Sequence, residues 1–201
     1  MKNRLLLAAA GLLAALVIGL AAYSWLQGSV RHGDGEGPLG SYGGGFEAMK
    51  IDPIAAGGTS WTYGVGLCLV SGIEPAILES VAPTKTVGHG FQFLGVGVRE
   101  FTPTPGHLPI ISVNTWPPPT SAVPDPVRAV HGFSVSTRCG QGPDARYTEL
   151  LVGLGLVNPD GGGWQGIEIS YTVGGRHRIL VMDHDLMICG ASVDCSVPGS
   201  T

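Results

Sequence analysis

Charge is scarce in this chain. Asp, Glu, Lys and Arg make up 13% of its 201 residues, about half the usual ~25%. With 44% hydrophobic residues beside it, that scarcity excludes a long charged disordered chain. No basic run occurs, and Lys plus Arg number 11 against 15 acidic residues, which argues against nucleic acid as a partner. The C-x-x-C spacing of redox and zinc sites is absent. So is the G-x-S-x-G elbow of a serine hydrolase: the Ser residues at 60 and 71 both lack the second glycine. The Gly-rich stretch 161–166 has no Lys followed by Ser or Thr, so it is no phosphate loop. The 33 Gly follow no period of three, which excludes collagen.

Gly and Pro are abundant instead, and the N-terminus is strongly apolar. Lys2 and Arg4 precede 22 uncharged residues, 5–26. As a helix these span about 33 Å, enough for the ~30 Å hydrocarbon core. Tyr23 and Trp25 fall where an interfacial aromatic belt belongs. Residues 1–26 are therefore expected to be a signal-anchor transmembrane helix, with membrane contact through 5–26. Lys2 and Arg4 keep its start cytoplasmic, so the remaining chain lies outside the cell membrane. The alternative is a secreted protein cleaved near Ser24, where Ala22 and Ser24 make a small-x-small site. Lipid attachment is excluded, because the first cysteine after the apolar run is Cys68.

Residues 27–45 contain eight Gly in nineteen positions and read as a solvated linker with too little to bury. Residues 46–201 read as one extracytoplasmic domain of short strands. Trp61, Tyr63, Val65, Leu67 and Leu69 share one face of a strand, and Leu150, Val152, Leu154 and Leu156 share one face of another. Gly153 and Gly155 on the opposite face leave room for a close backbone approach. Further strands are expected at 46–51, 76–81, 91–101 and 133–139, with 82–90 as a turn. A hairpin is expected over 166–182, with Gly174 and Gly175 as its tight turn. No second helix has a 3.6-residue period. The count fits an all-β, immunoglobulin-like β-sandwich, with a small β-barrel as runner-up.

Residues 102–130 hold eight Pro in 29 positions and cannot be a central strand. They read as a long loop crossing between sheets, with a short edge strand near 110–113, and as a contact surface for an extracytoplasmic protein partner. Arg outnumbers Lys 8 to 3. In composition and layout the chain resembles small membrane-anchored β-sandwich proteins of Gram-positive bacteria with GC-rich genomes. No catalytic motif comes with that resemblance.

The four cysteines are Cys68, Cys139, Cys189 and Cys195. An even count in an extracytoplasmic domain points to disulfides. The preferred pairing is Cys139 with Cys189 and Cys68 with Cys195. The rival joins Cys68 to Cys139 and closes Cys189 with Cys195 locally. His184, Met187 and Cys189 form the one soft-ligand cluster, a candidate copper site if Cys189 is free and His89 or His177 joins it. Glu79, Glu149 and Glu168 read as the solvent faces of strands. The leading functional expectation is a binding or scaffolding domain without catalytic residues or cofactor. The alternatives are a domain handling copper or another metal, and a hydrolase with dispersed residues.

Overall fold

Strand β4 (Ser60–Leu69) keeps its large apolar side chains on one face, and so does β9 (Tyr147–Leu156). Their antiparallel register sets Trp61 opposite Leu154, Tyr63 opposite Val152 and Val65 opposite Leu150. β6 (Phe91–Phe101) extends this face, with Val96 opposite Val152 and Val98 opposite Leu150. β2 (Leu39–Ser41) and β7 (Ser112–Val113) pair with the other edge of β4. These strands form the first sheet of the computed structural model, which describes residues 31–32, 37–41, 48–102, 112–140 and 146–194.

The second sheet is built on β10 (Gly162–Val173). β11 (Arg176–Met182) follows it through the expected turn, in which Gly174 and Gly175 have φ of 57° and 71°. Positive φ at both positions suits the right-handed twist of the hairpin, and Gly takes it without steric cost. β5 (Ala76–Val87) pairs with the other side of β10. It runs six residues beyond the expected boundary, and the turn shrinks to positions 88–90. Beyond Ile77, β5 has only β10 as a ladder partner among the described strands, so Pro83 sits where a missing donor is tolerated. β12 (Asp185–Ile188) pairs with the start of β10, and β3 (Ala48–Ile51) lies parallel to β12. β8 (Ser134–Val135) and β1 (Arg31–His32) complete the sheet against β5 and β11. The only described helix is the single turn α1 (Pro53–Ala56).

The inward faces close on one core. Trp61, Tyr63, Leu67, Leu150 and Leu154 from the first sheet, with Ile169 and Tyr171 from the second, are fully buried in it. The Tyr63 hydroxyl donates to the Met187 carbonyl across the two sheets at 3.0 Å, and burial pushes its pKa up. The chain crosses between sheets twice at one corner, from β5 to β6 and from β9 to β10. There Gly90 N–H donates to Gly161 O at 2.8 Å. A Cβ on Gly161 would meet Ile188 O at 2.5 Å, so only glycine lets the strands cross so closely.

Two expectations are corrected. The stretch read as a linker contributes β1 and β2. Leu39 is fully buried opposite Leu69, and this apolar side chain outweighs the glycines around it. The disulfide joins Cys68 to Cys139, with Cα atoms 5.0 Å apart, instead of either preferred partner. The cause is the path of the chain after β8: Leu69 N–H donates to Thr137 O at 2.7 Å and Cys139 N–H to Leu69 O at 3.0 Å. That ladder sets Cys139 beside the end of β4. Cys189 is also disulfide-bonded, and Cys195 lies outside the described residues. The apolar segment 5–26 lies outside them too. Among the described residues no helix is long and apolar enough to cross a membrane.

Candidate functional site: a proline-rich strap and the cleft at its root

The outward face of the first sheet carries Thr62 on β4, Gly153, Leu151 and Glu149 on β9, and Gly95, Gly97 and Arg99 on β6. The described part of the proline-rich segment, 112–130, folds back over it as a strap. The Thr62 hydroxyl donates to Thr115 O at 2.6 Å, and Trp116 N–H donates to Ser60 Oγ at 3.2 Å. These bonds lay the Trp116 indole flat on Gly153 and Gly95. A Cβ on Gly153 would run into the indole ring, and one on Gly95 would lie 3.0 Å from it. The close approach expected at Gly153 is thus made by a side chain some forty positions away, not by a backbone. Further along, Val98 and Arg128 exchange both backbone bonds, at 2.9 and 2.8 Å. The strap then leaves for the second sheet, where Leu78 N–H donates to Phe133 O at 2.8 Å. The edge strand expected near 110–113 is β7.

Beneath the strap lies an ion pair. Arg99 donates through both Nε and Nη2 to Glu149 Oε2, each at 2.6 Å. The two side chains are 3% and 0% exposed. The Arg99 guanidinium also covers the Phe101 ring, 4.4 Å from its centroid, and Asp125 Oδ2 of the strap is 4.0 Å from Nη1. Glu149 is therefore not on a solvent face. The alternation along β9 is intact, but the strap has removed that face from water. Beside the pair opens a cleft of about 230 Å³, lined by Phe101 and Thr102 of the sheet edge, Asp125 and Arg128 of the strap, and Glu100 with Arg146. Arg146 and Glu100 form a 3.5 Å ion pair. Every charged residue of this cleft was missed at the level of sequence, because the four come from three separate segments with no motif around them.

A second polar cluster occupies the outer face of the second sheet. Glu79 accepts from the Thr172 hydroxyl at 2.6 Å and bonds His177 Nδ1 at 2.9 Å. The Thr172 bond first, then His177 and the nearby His131, holds the Glu79 carboxyl below its ordinary pKa, against some loss of solvent. Thr172 bonds the carboxylate and not the imidazole, so the nucleophile, histidine and acid order of a hydrolytic triad is not formed there.

The soft-ligand candidates are placed as follows. His184 is half-buried between β11 and β12, Met187 is buried in β12, and Cys189 is buried beyond it. The disulfide at Cys189 removes the thiolate that a copper site would need. His177 is engaged with Glu79, and His89 is exposed in the β5–β6 turn. Among the described residues no group of three His, Cys, Asp or Glu could hold a metal ion. No family model and no curated protein matches the chain.

Proposed function

We propose that this chain is a membrane-anchored, extracytoplasmic domain with a binding or scaffolding role, whose strap meets a protein partner. The observation that carries the reading is the Cys68–Cys139 disulfide, since such bonds persist in oxidising compartments and are rare in the cytosol. The uncharged run 5–26 behind Lys2 and Arg4 supports a single anchor with the domain outside. The strap is exposed at Pro117, Pro119 and Pro124, and restrained prolines lose little freedom on binding. The layout is read as an immunoglobulin-like sandwich. Two sheets with no ladder joining them among the described strands favour it over a closed barrel.

The test is thiol trapping in intact cells. Cells are treated with an alkylating reagent before lysis, and the chain is recovered from carbonate-washed membranes. The expected result is a washed-membrane chain whose Cys68 and Cys139 are linked and unalkylated. Alkylated Cys68 and Cys139, or a chain released by the wash, would overturn the reading.

A further inference from the structure

We propose that one end of the sandwich, formed by the β4–β5 loop and the β10–β11 turn, lies against the lipid surface with Ile73 dipping into the headgroup layer. The inference rests on the anchor reading and deepens it by naming the face that meets the bilayer. Anchor and domain are close in sequence. Four residues separate Leu26, the last of the uncharged run, from Arg31, the first of β1. That stretch reaches at most about 18 Å. β1 runs parallel to β11, with Arg31 opposite Ile179 and His32 opposite Leu180. The chain therefore comes to β1 from the side where β11 begins, beside the Gly174–Gly175 turn. From the level of Arg31 and Ile179 back to Arg176 is about 10 Å of strand. With the strands along the membrane normal, at most roughly 8 Å then separates the turn from the end of the uncharged run. That is about the depth of one headgroup layer. A second tie leads to the same end. Leu39 lies opposite Leu69, the last residue of β4, and Val70 N–H donates to Pro38 O at 3.0 Å. A Cβ on Gly174 would run into the Glu74 carboxylate, so the loop 70–75 and the turn are neighbours.

The chemistry of this end suits a bilayer. Every residue of the loop 70–75 is exposed, and Ile73 is 86% exposed. An isoleucine side chain gains free energy on leaving water, and the boundary between headgroups and acyl chains takes up such apolar groups. Arg138, Arg146 and Arg176 are exposed at the same end. Glu74 and Glu100 stand against them, and Glu100 pairs with Arg146. A guanidinium presents a planar fork to phosphate oxygens. The opposite end has the other sign. Its loops 52–59, 88–90, 157–161 and 189–194 carry Asp52, Asp160 and Asp194 and no Lys or Arg. Lys50 of β3 reaches the Asp194 carbonyl there, at 3.2 Å. Ile54 at that acidic end is 94% exposed, so exposure alone does not choose between the ends. The short tether and the arginines do.

The test uses the full chain in phospholipid nanodiscs, with and without a nitroxide-bearing phospholipid, and isotope-labelled isoleucine methyl groups read by NMR. Three methyls report separately. Ile18 lies in the uncharged run, Ile73 at the proposed face and Ile54 at the opposite end. The two ends stand about 33 Å apart, the length of β4. I73V and I54V, both at exposed positions, assign their signals. The expected result is loss of the Ile18 and Ile73 signals by paramagnetic broadening, with the Ile54 signal retained. A retained Ile73 signal beside a lost Ile18 signal would overturn the proposal and leave the anchor standing. Equal broadening of Ile73 and Ile54 would also overturn it, because the domain would then present no fixed face to the bilayer. A retained Ile18 signal would overturn the anchor reading, and this inference with it.

Discussion

Replacing Glu149 with leucine should be among the most damaging single changes in the domain. Arg99 is 3% exposed and gives Glu149 two bonds of 2.6 Å. Hydrogen bonds to charged groups contribute about 1.5–3 kcal/mol each, so the pair of bonds accounts for roughly 3–6 kcal/mol. Removing one partner of a buried ion pair typically costs about 3–5 kcal/mol, because the other charge stays buried alone. Asp125 at 4.0 Å is too far to take over the bonds, although its charge offsets part of the cost. E149L should therefore destabilise by about 3–5 kcal/mol, a large share of a usual total of about 5–15. Adding R99M should return most of that loss, since an apolar pair of similar volume is often neutral or stabilising. The assay is urea denaturation of the wild type, both single variants and the double variant, with unchanged slopes as the check on two-state behaviour. A cost for E149L below about 1 kcal/mol, the scale of an exposed ion pair, would refute the burial of this pair.

Three further outcomes are expected. Reduction of the Cys68–Cys139 bridge, which spans 71 residues, should cost about 4 kcal/mol in the loop-entropy model; C68S and C139S, compared with wild type in non-reducing denaturation, should each reproduce it. G153A forces the Trp116 indole off the sheet, so it should destabilise by about 1–3 kcal/mol and speed tryptic cleavage after Arg128, measured by limited proteolysis. The depressed Glu79 carboxyl contributes stability that is fully present above its unfolded value of about 4.3 and is lost as pH falls through its lower folded value; E79Q should flatten that acid limb in a thermal-melt series, and an unaltered limb would contradict the bonding described.

The sequence was most legible where one face of a strand meets the core. The alternating residues of β4 and β9 name their own inward side, and Trp61, Tyr63, Leu150 and Leu154 are all fully buried. The hairpin at Gly174 and Gly175 was legible for a similar local reason: two adjacent glycines between alternating runs. The outward face was not. Glu149 looks like a solvent-facing charge until Arg99 closes on it and Asp125 of the strap comes back beside the pair, and no local period records a contact between segments that far apart. Proline misled in both directions. Pro83 looked like a turn but sits on a strand edge where no donor is required, while the described part of the proline-rich segment, expected to be a loop crossing between sheets, is bonded to Ser60, Thr62 and Val98. The cysteine pairing was undecidable from spacing, because Cys139 reaches Cys68 through a short ladder at Leu69 that only the tertiary path creates.

The seating of Trp116 on the first sheet carries the description of the strap. Nuclear Overhauser contacts between the Trp116 indole protons and the Hα protons of Gly95 and Gly153, measured on the full chain, test it directly. Strong contacts to both glycines, with the Gly153 Hα resonances shifted upfield by the ring, are the result predicted by an indole lying flat on the sheet. Absence of both contacts, with unshifted glycine resonances, would contradict it.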